Sequence, residues 1–229
     1  MLIARRFISV VFVGIVGFFF SSPARAEATI DGTLAQPGKV VLDRVVGVGT
    51  SFRSGALGAV SDYQAGPVSF SHASLDLGGR VTMTSVALSP SFDVFVSRRV
   101  SLGGTFSIGA QSTSSENKTS GFGTSSGYQV SADPRVGVLF PITNEVAFWP
   151  KVGFGLGRNH VAIEGLAGSL ESYRLSTRVD FDFALPLTKH VLVALGPYVQ
   201  GSVYWGNDAM QLDRYRVAVG MRGGLSLAF

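Results

Sequence analysis

The 229-residue sequence contains no cysteine. That absence excludes a disulfide framework, thiolate-bound zinc, an iron–sulfur cluster, a thiol nucleophile and a lipid-modified N-terminal cysteine. Charge is sparse as well, at 15% of residues against 46% hydrophobic, the reverse of the balance that keeps a chain disordered. The formal net charge of +4 is unevenly placed: Arg5, Arg6 and Arg25 lie in the first 26 residues, which hold no Asp or Glu, and the remainder carries 16 basic and 15 acidic residues, a net of +1. Such a balance leaves no electrostatic footprint for a phosphate backbone, so no nucleic-acid partner is expected. No phosphate loop or metal-ligand cluster occurs, and neither a cofactor nor a metal is expected.

What the chain does have begins with an address. Arg5 and Arg6 precede an apolar stretch from Phe7 to Phe20, and Ser21-Ser22-Pro23 ends it before Ala24-Arg25-Ala26. A basic start, a short apolar centre and a small-x-small exit describe a cleaved secretory signal over residues 1–26. At 14 residues the apolar stretch falls short of the ~20 that a membrane-spanning helix needs. No later run approaches it, so a mature chain living in a membrane does not use helices. Residues 27–39 are expected to form a short periplasmic N-terminal segment.

From residue 40 onward the hydrophobic period is two, the mark of strands. Eight alternating segments are expected, near 40–52, 82–96, 100–111, 127–140, 146–157, 172–185, 191–205 and 214–229. An internal repeat orders them. Pro141-Ile142-Thr143-Asn144-Glu145-Val146 recurs 45 residues on as Pro186-Leu187-Thr188-Lys189-His190-Val191, with a degenerate copy, Phe95-Val96-Ser97-Arg98-Arg99-Val100, 46 residues earlier. Each copy is a tight turn between two strands. The intervening connections, about 53–80, 112–126, 158–170 and 206–212, are longer and polar. Short turns on one rim and long loops on the other predict an all-β fold: an up-and-down antiparallel barrel of eight strands over residues 40–229.

The two faces of the strands decide what surrounds the barrel. One carries Tyr215, Val217, Val219, Met221, Leu225 and Leu227, and Tyr173, Leu175, Val179, Phe181, Phe183 and Leu185. The other carries Gly103, Gly109, Gly137, Gly153, Gly155, Gly157 and Gly220 among many Ser and Ala. As the core of a soluble barrel, that second face would be nearly empty, and empty space costs lost dispersion contacts. Turned outward, the first face needs a nonpolar solvent. Apolar-out, polar-in alternation is the signature of a transmembrane barrel. Parity then places Arg135, Lys151, Arg174, Arg178, Arg214, Arg216 and Arg222 in the lumen with Asp93, Asp133, Asp180 and Asp182, an excess of three bases (seven minus four). An eight-stranded barrel is only just wide enough for its own side chains, so these charges are expected to pack as a salt-bridge plug rather than to line an ion path.

The signal segment, the absence of cysteine, the eight segments and the C-terminal Phe229 together resemble the small outer-membrane barrels of Gram-negative bacteria, of the OmpA/OmpX type. Gly220 to Phe229 resembles the terminal strand that such proteins present to the barrel-assembly machinery. The resemblance implies localisation in the cell outer membrane and partners in the assembly machinery, outer-membrane lipids and lipopolysaccharide. A monomer and a stand-alone barrel without a peptidoglycan-binding domain are also expected.

Candidate chemistry is thin. His190 belongs to a short turn, His72 to the first long connection and His160 to the outer end of a strand. His72-Ala73-Ser74 matches a His-x-Ser element only superficially, and Glu164 and Glu171 offer His160 a carboxylate partner. No catalytic residue is assigned, and the chain is not expected to be an enzyme. Asn117-Lys118-Thr119 fits a glycosylation sequon in an ordinary surface loop. Three functions from different classes remain: a structural or surface-interaction barrel with an unnamed loop ligand, a narrow pore or transporter for small molecules, and a lipid A-modifying enzyme using His72 or His160. The first is favoured.

Overall fold

The structure is a computed structural model that describes residues 29–53, 59–65, 67–76, 80–115, 124–163, 169–206 and 215–229. The expected signal segment, the Asn117 sequon, Glu164 and Arg214 lie outside the described residues. One helical turn, α1 (Ile30–Thr33), precedes twelve strands: β1 (Val40–Arg53), β2 (Ala59–Ala65), β3 (Val68–Asp76), β4 (Arg80–Leu88), β5 (Ser91–Phe95), β6 (Val100–Ser115), β7 (Ser125–Val138), β8 (Phe140–Pro141), β9 (Ala147–Ile163), β10 (Ser169–Pro186), β11 (Val191–Gly206) and β12 (Tyr215–Ala228).

All eight expected segments form strands, and β12 closes the ring against β1, from Val41 opposite Ala228 to Arg53 opposite Ala218. Every pairing is antiparallel. The β4 and β5 strands act as one. They hold an unbroken register along β6, from Val81 opposite Ser115 to Phe95 opposite Ser101, with only Ser89-Pro90 between them. At the rim of short turns the ring therefore reads β1, β5, β6, β7, β9, β10, β11, β12, a closed barrel of eight.

Toward the opposite rim the barrel widens. The stretch expected as one long connection, 53–80, contains the hairpin β2–β3, which inserts between β1 and β4. Its turn around Pro67 points toward the short-turn rim, where the Ser89 amide donates to the Pro67 carbonyl. The loop expectation is corrected here. Pro67 stands between two strands, and Val68 and Phe70 point outward in alternation with Ser69 and Ser71. The alternation is real, but serine carries half of it. Both new strands are paired on both sides, so the insertion leaves no open edge.

The internal repeat has a physical cause. In each copy the third residue is Ser or Thr, and its hydroxyl accepts two backbone N–H groups of the turn: Ser97 from Arg99 and Val100, Thr143 from Glu145 and Val146, Thr188 from His190 and Val191. The side chain replaces backbone partners that a tight reversal leaves unpaired. His190 lies in the third turn, its Nδ1 3.1 Å from the Ala228 carbonyl oxygen.

Outward residues are apolar along the whole ring. Val199, Phe154, Leu156, Val152, Ile108, Val136 and Val219 are each more than a third exposed, forming the kind of apolar outer belt that marks a transmembrane barrel. Aromatic groups mark its two margins. Tyr173 stacks on Trp205 and Tyr128 on His160 toward the long-loop rim, while Phe148 packs against Phe140, Phe181 and Phe183 near the short turns. A transmembrane strand needs about 9–11 residues. β9, with 17, and β10, with 18, therefore continue past the belt.

Candidate functional site in the barrel lumen

The lumen is layered. Nearest the short turns is an apolar floor of Val41, Phe95, Leu139, Trp149, Leu192 and the alanines at 147, 184, 194 and 228, all buried. Trp149 stands 5.3 Å from Phe95, centroid to centroid. The sequence suggests no more than a short periplasmic segment for residues 27–39. Within them α1 docks on this floor, burying Ile30 and Leu34. Four helical residues do not hold themselves in water. Here Thr29 caps the Gly32 amide, and the Ile30 amide donates to Asn144 across the mouth at 2.8 Å.

Above the floor three carboxylates meet three cations. Lys151 is fully buried, with Nζ 3.2 to 3.5 Å from oxygens of Asp182, Asp43 and Asp93, and 3.7 Å from the centre of the Trp149 ring. Arg135 grips Asp93 through both Nε and an Nη, and reaches Asp43 at 2.9 Å. Arg44 binds Asp182 at 2.8 Å. Small residues make room for these groups. A Cβ on Gly137 would lie 2.6 Å from both the Ser101 Oγ and the Trp149 Nε1.

Asp43 and Arg44 are absent from the parity reading because both point inward, which regular alternation forbids. A bulge allows it. Leu42 pairs with Leu227 and Val46 with Leu225, so four steps of β1 span two of β12. Arg44 takes a left-handed φ of 51°, an uncommon conformation for a residue with a side chain. Ser226 holds the bulge: its Oγ accepts from the Arg44 amide at 2.9 Å and lies 3.3 Å from Asp43 Oδ1, to which it donates. The break in alternation at Asp43-Arg44 is the trace it leaves in the sequence.

The third layer opens toward the wide rim. Asp180 pairs with Arg222 at 2.6 Å and Arg178 at 2.9 Å, and Asp133 with Arg174 at 3.5 Å. The expected lumen residues Arg135, Lys151, Arg174, Arg178, Arg222, Asp93, Asp133, Asp180 and Asp182 all face inward. Arg216 is exposed at the rim, its guanidinium 4.9 Å from the Tyr204 ring centre. With Asp43 and Arg44 counted, six lumen cations face five carboxylates among the described residues. Among them the excess is one (six minus five): Arg216 leaves the expected set, Arg214 lies outside the described residues, and Asp43 and Arg44 cancel.

Between these charges lies a polar cavity of about 220 Å³. Its opposite wall is hydroxyl-rich: Ser89 lies 2.8 Å from Ser107 and 3.1 Å from Ser69, and Thr105 donates to Ser91.

The chain shares the up-and-down barrel architecture of small outer-membrane proteins. It is similar to Ail, the attachment invasion locus protein of Yersinia pestis, at 14% identity over 85% of this chain and 100% of that one, with a TM-score of 0.42. It is also similar to the outer membrane protein OprG from Pseudomonas aeruginosa, at 14% identity, 85% and 97% coverage and a TM-score of 0.43. The N-terminal β-barrel domain of Pseudomonas aeruginosa OprF gives 12% identity, 84% and 98% coverage and a TM-score of 0.37. No protein-family model and no curated protein matches the chain.

The histidines are dispersed. His72 lies on β3 rather than in a loop, exposed, its Nδ1 3.3 Å from Thr84 Oγ1. His160 faces outward on β9, its Nδ1 3.7 Å from Glu171, which Arg158 also binds at 2.7 Å.

Proposed function

We propose that the chain is an integral barrel of a bacterial outer membrane with a structural or surface-interaction role, its lumen closed to ions and its long-loop rim turned to the exterior. The observation that carries this reading is the layer of Asp43, Asp93 and Asp182 with Arg44, Arg135 and Lys151 across the lumen, backed by the apolar floor and α1. Each charge in it is held by an opposite one, so an ion crossing the layer must first break buried pairs, at a cost of several kcal/mol. Lipids and lipopolysaccharide meet the outer belt, and the assembly machinery reads the terminal strand ending in Phe229.

Wild-type barrel reconstituted in planar lipid bilayers is expected to show no stepwise conductance. Regular single-channel steps from the wild-type protein would replace this reading with the narrow pore.

A further inference from the structure

The cavity above the ion-pair layer contains more cationic hydrogen-bond capacity than the protein uses. Arg174, Arg178 and Arg222 project into it, where Asp133 and Asp180 pair with them, and Arg222 also lies 3.8 Å from Asp182 of the layer below. The Nε groups of Arg174 and Arg222 are shielded from solvent yet have no acceptor among the described residues. A buried guanidinium N–H without an acceptor costs more than a typical hydrogen bond gains. An acceptor placed beside each would relieve that cost.

The space is built by the strands themselves. Opposite Arg174, Ser176 and Arg178 on β10 stand Gly157, Gly155 and Gly153 on β9. A Cβ on Gly155 would collide with the Asp133 carboxylate and lie 2.5 Å from Ser176 Oγ, and one on Gly157 would lie 3.4 Å from Arg174 Nε. Side chains there would displace Asp133 and crowd Arg174. Gln129 and Gln200 add neutral donors at its edge. Guanidinium forks select planar or tetrahedral oxyanions over halide, because two N–H groups match two oxygens.

We propose that this cavity is a binding site for a small solute bearing a phosphate, sulfate or carboxylate group, clasped by Arg174 and Arg222 with Arg178 beside them. The site lies above the ion-pair layer, so it stands whether or not that layer closes the barrel to ions.

The test is calorimetric titration of the whole mature barrel in a zwitterionic detergent with inorganic phosphate and, separately, succinate, against chloride at equal ionic strength. Saturable binding of either probe, unmatched by chloride, is expected. Arg174→Gln should weaken it at least tenfold. Asp133→Asn removes the competing carboxylate and should tighten it, which keeps the proposal testable should Arg174→Gln fail to fold. Arg158→Gln, on the outer surface, should leave it unchanged. Binding no stronger than that of chloride for both probes would overturn the proposal. So would equal losses from Arg158→Gln and Arg174→Gln, or no tightening in Asp133→Asn.

Discussion

Replacing Arg135 with Met is expected to cost the barrel about 3–5 kcal/mol of stability, the usual result of removing one member of a buried ion pair. The cost does not measure what the pair contributes. It arises because Asp93, fully buried, loses its two-pronged partner, and Asp43 loses a contact at 2.9 Å. Lys151 remains near both, at 3.4 and 3.5 Å, but Lys151 and Arg44 together leave one of the three carboxylates unbalanced. Pairing Arg135→Met with Asp93→Leu should restore much of the loss, since an apolar replacement of both partners removes the stranded charge. Urea unfolding in lipid vesicles reads both variants. A loss below about 1 kcal/mol in the single variant would mean that water reaches the layer and screens it, as for exposed pairs.

The second large effect belongs to the outer face. Val199→Arg should destabilise the membrane-inserted barrel by about 2–4 kcal/mol, the cost of a cation near the bilayer midplane. Val199 pairs with Val179 between the two aromatic margins and is 41% exposed. Ser114→Arg, also outward but past Tyr128 toward the long-loop rim, should cost about 0–1 kcal/mol, because the penalty decays toward the interface. Similar costs at both positions would mean that the belt does not contact hydrocarbon.

The frame of the molecule is readable in its sequence, while parts of its interior are not. Alternation located eight strands and assigned their faces, because a residue that must meet lipid cannot be replaced by a polar one without a large cost. The repeat located the turns, since the hydroxyls of Ser97, Thr143 and Thr188 perform one task three times. The β2–β3 hairpin escaped because the inward residues described on β3, Ser69 and Ser71, are small and polar and its outward run stops at Phe70, where His72 follows. The bulge at Asp43-Arg44 escaped because periodicity shows that a strand is interrupted but not which residues turn inward. Ile30 and Leu34, four apart, were the trace of α1, too short to stand out from a polar segment. The cavity was not legible at all. It depends on which arginines are taken up by Asp133 and Asp180, and that is settled only by the folded arrangement.

The place of the barrel in the cell depends first on which face of its strands meets lipid, and the absence of native cysteine makes that directly measurable. A fluorophore attached to Val199→Cys in reconstituted vesicles should emit as in a nonpolar medium and be quenched strongly by lipids brominated along their acyl chains. The same probe on Ser114→Cys should emit as in water and escape that quenching. Water-like, unquenched emission from position 199 would contradict the lipid-facing assignment and return the apolar face to the interior of a soluble barrel.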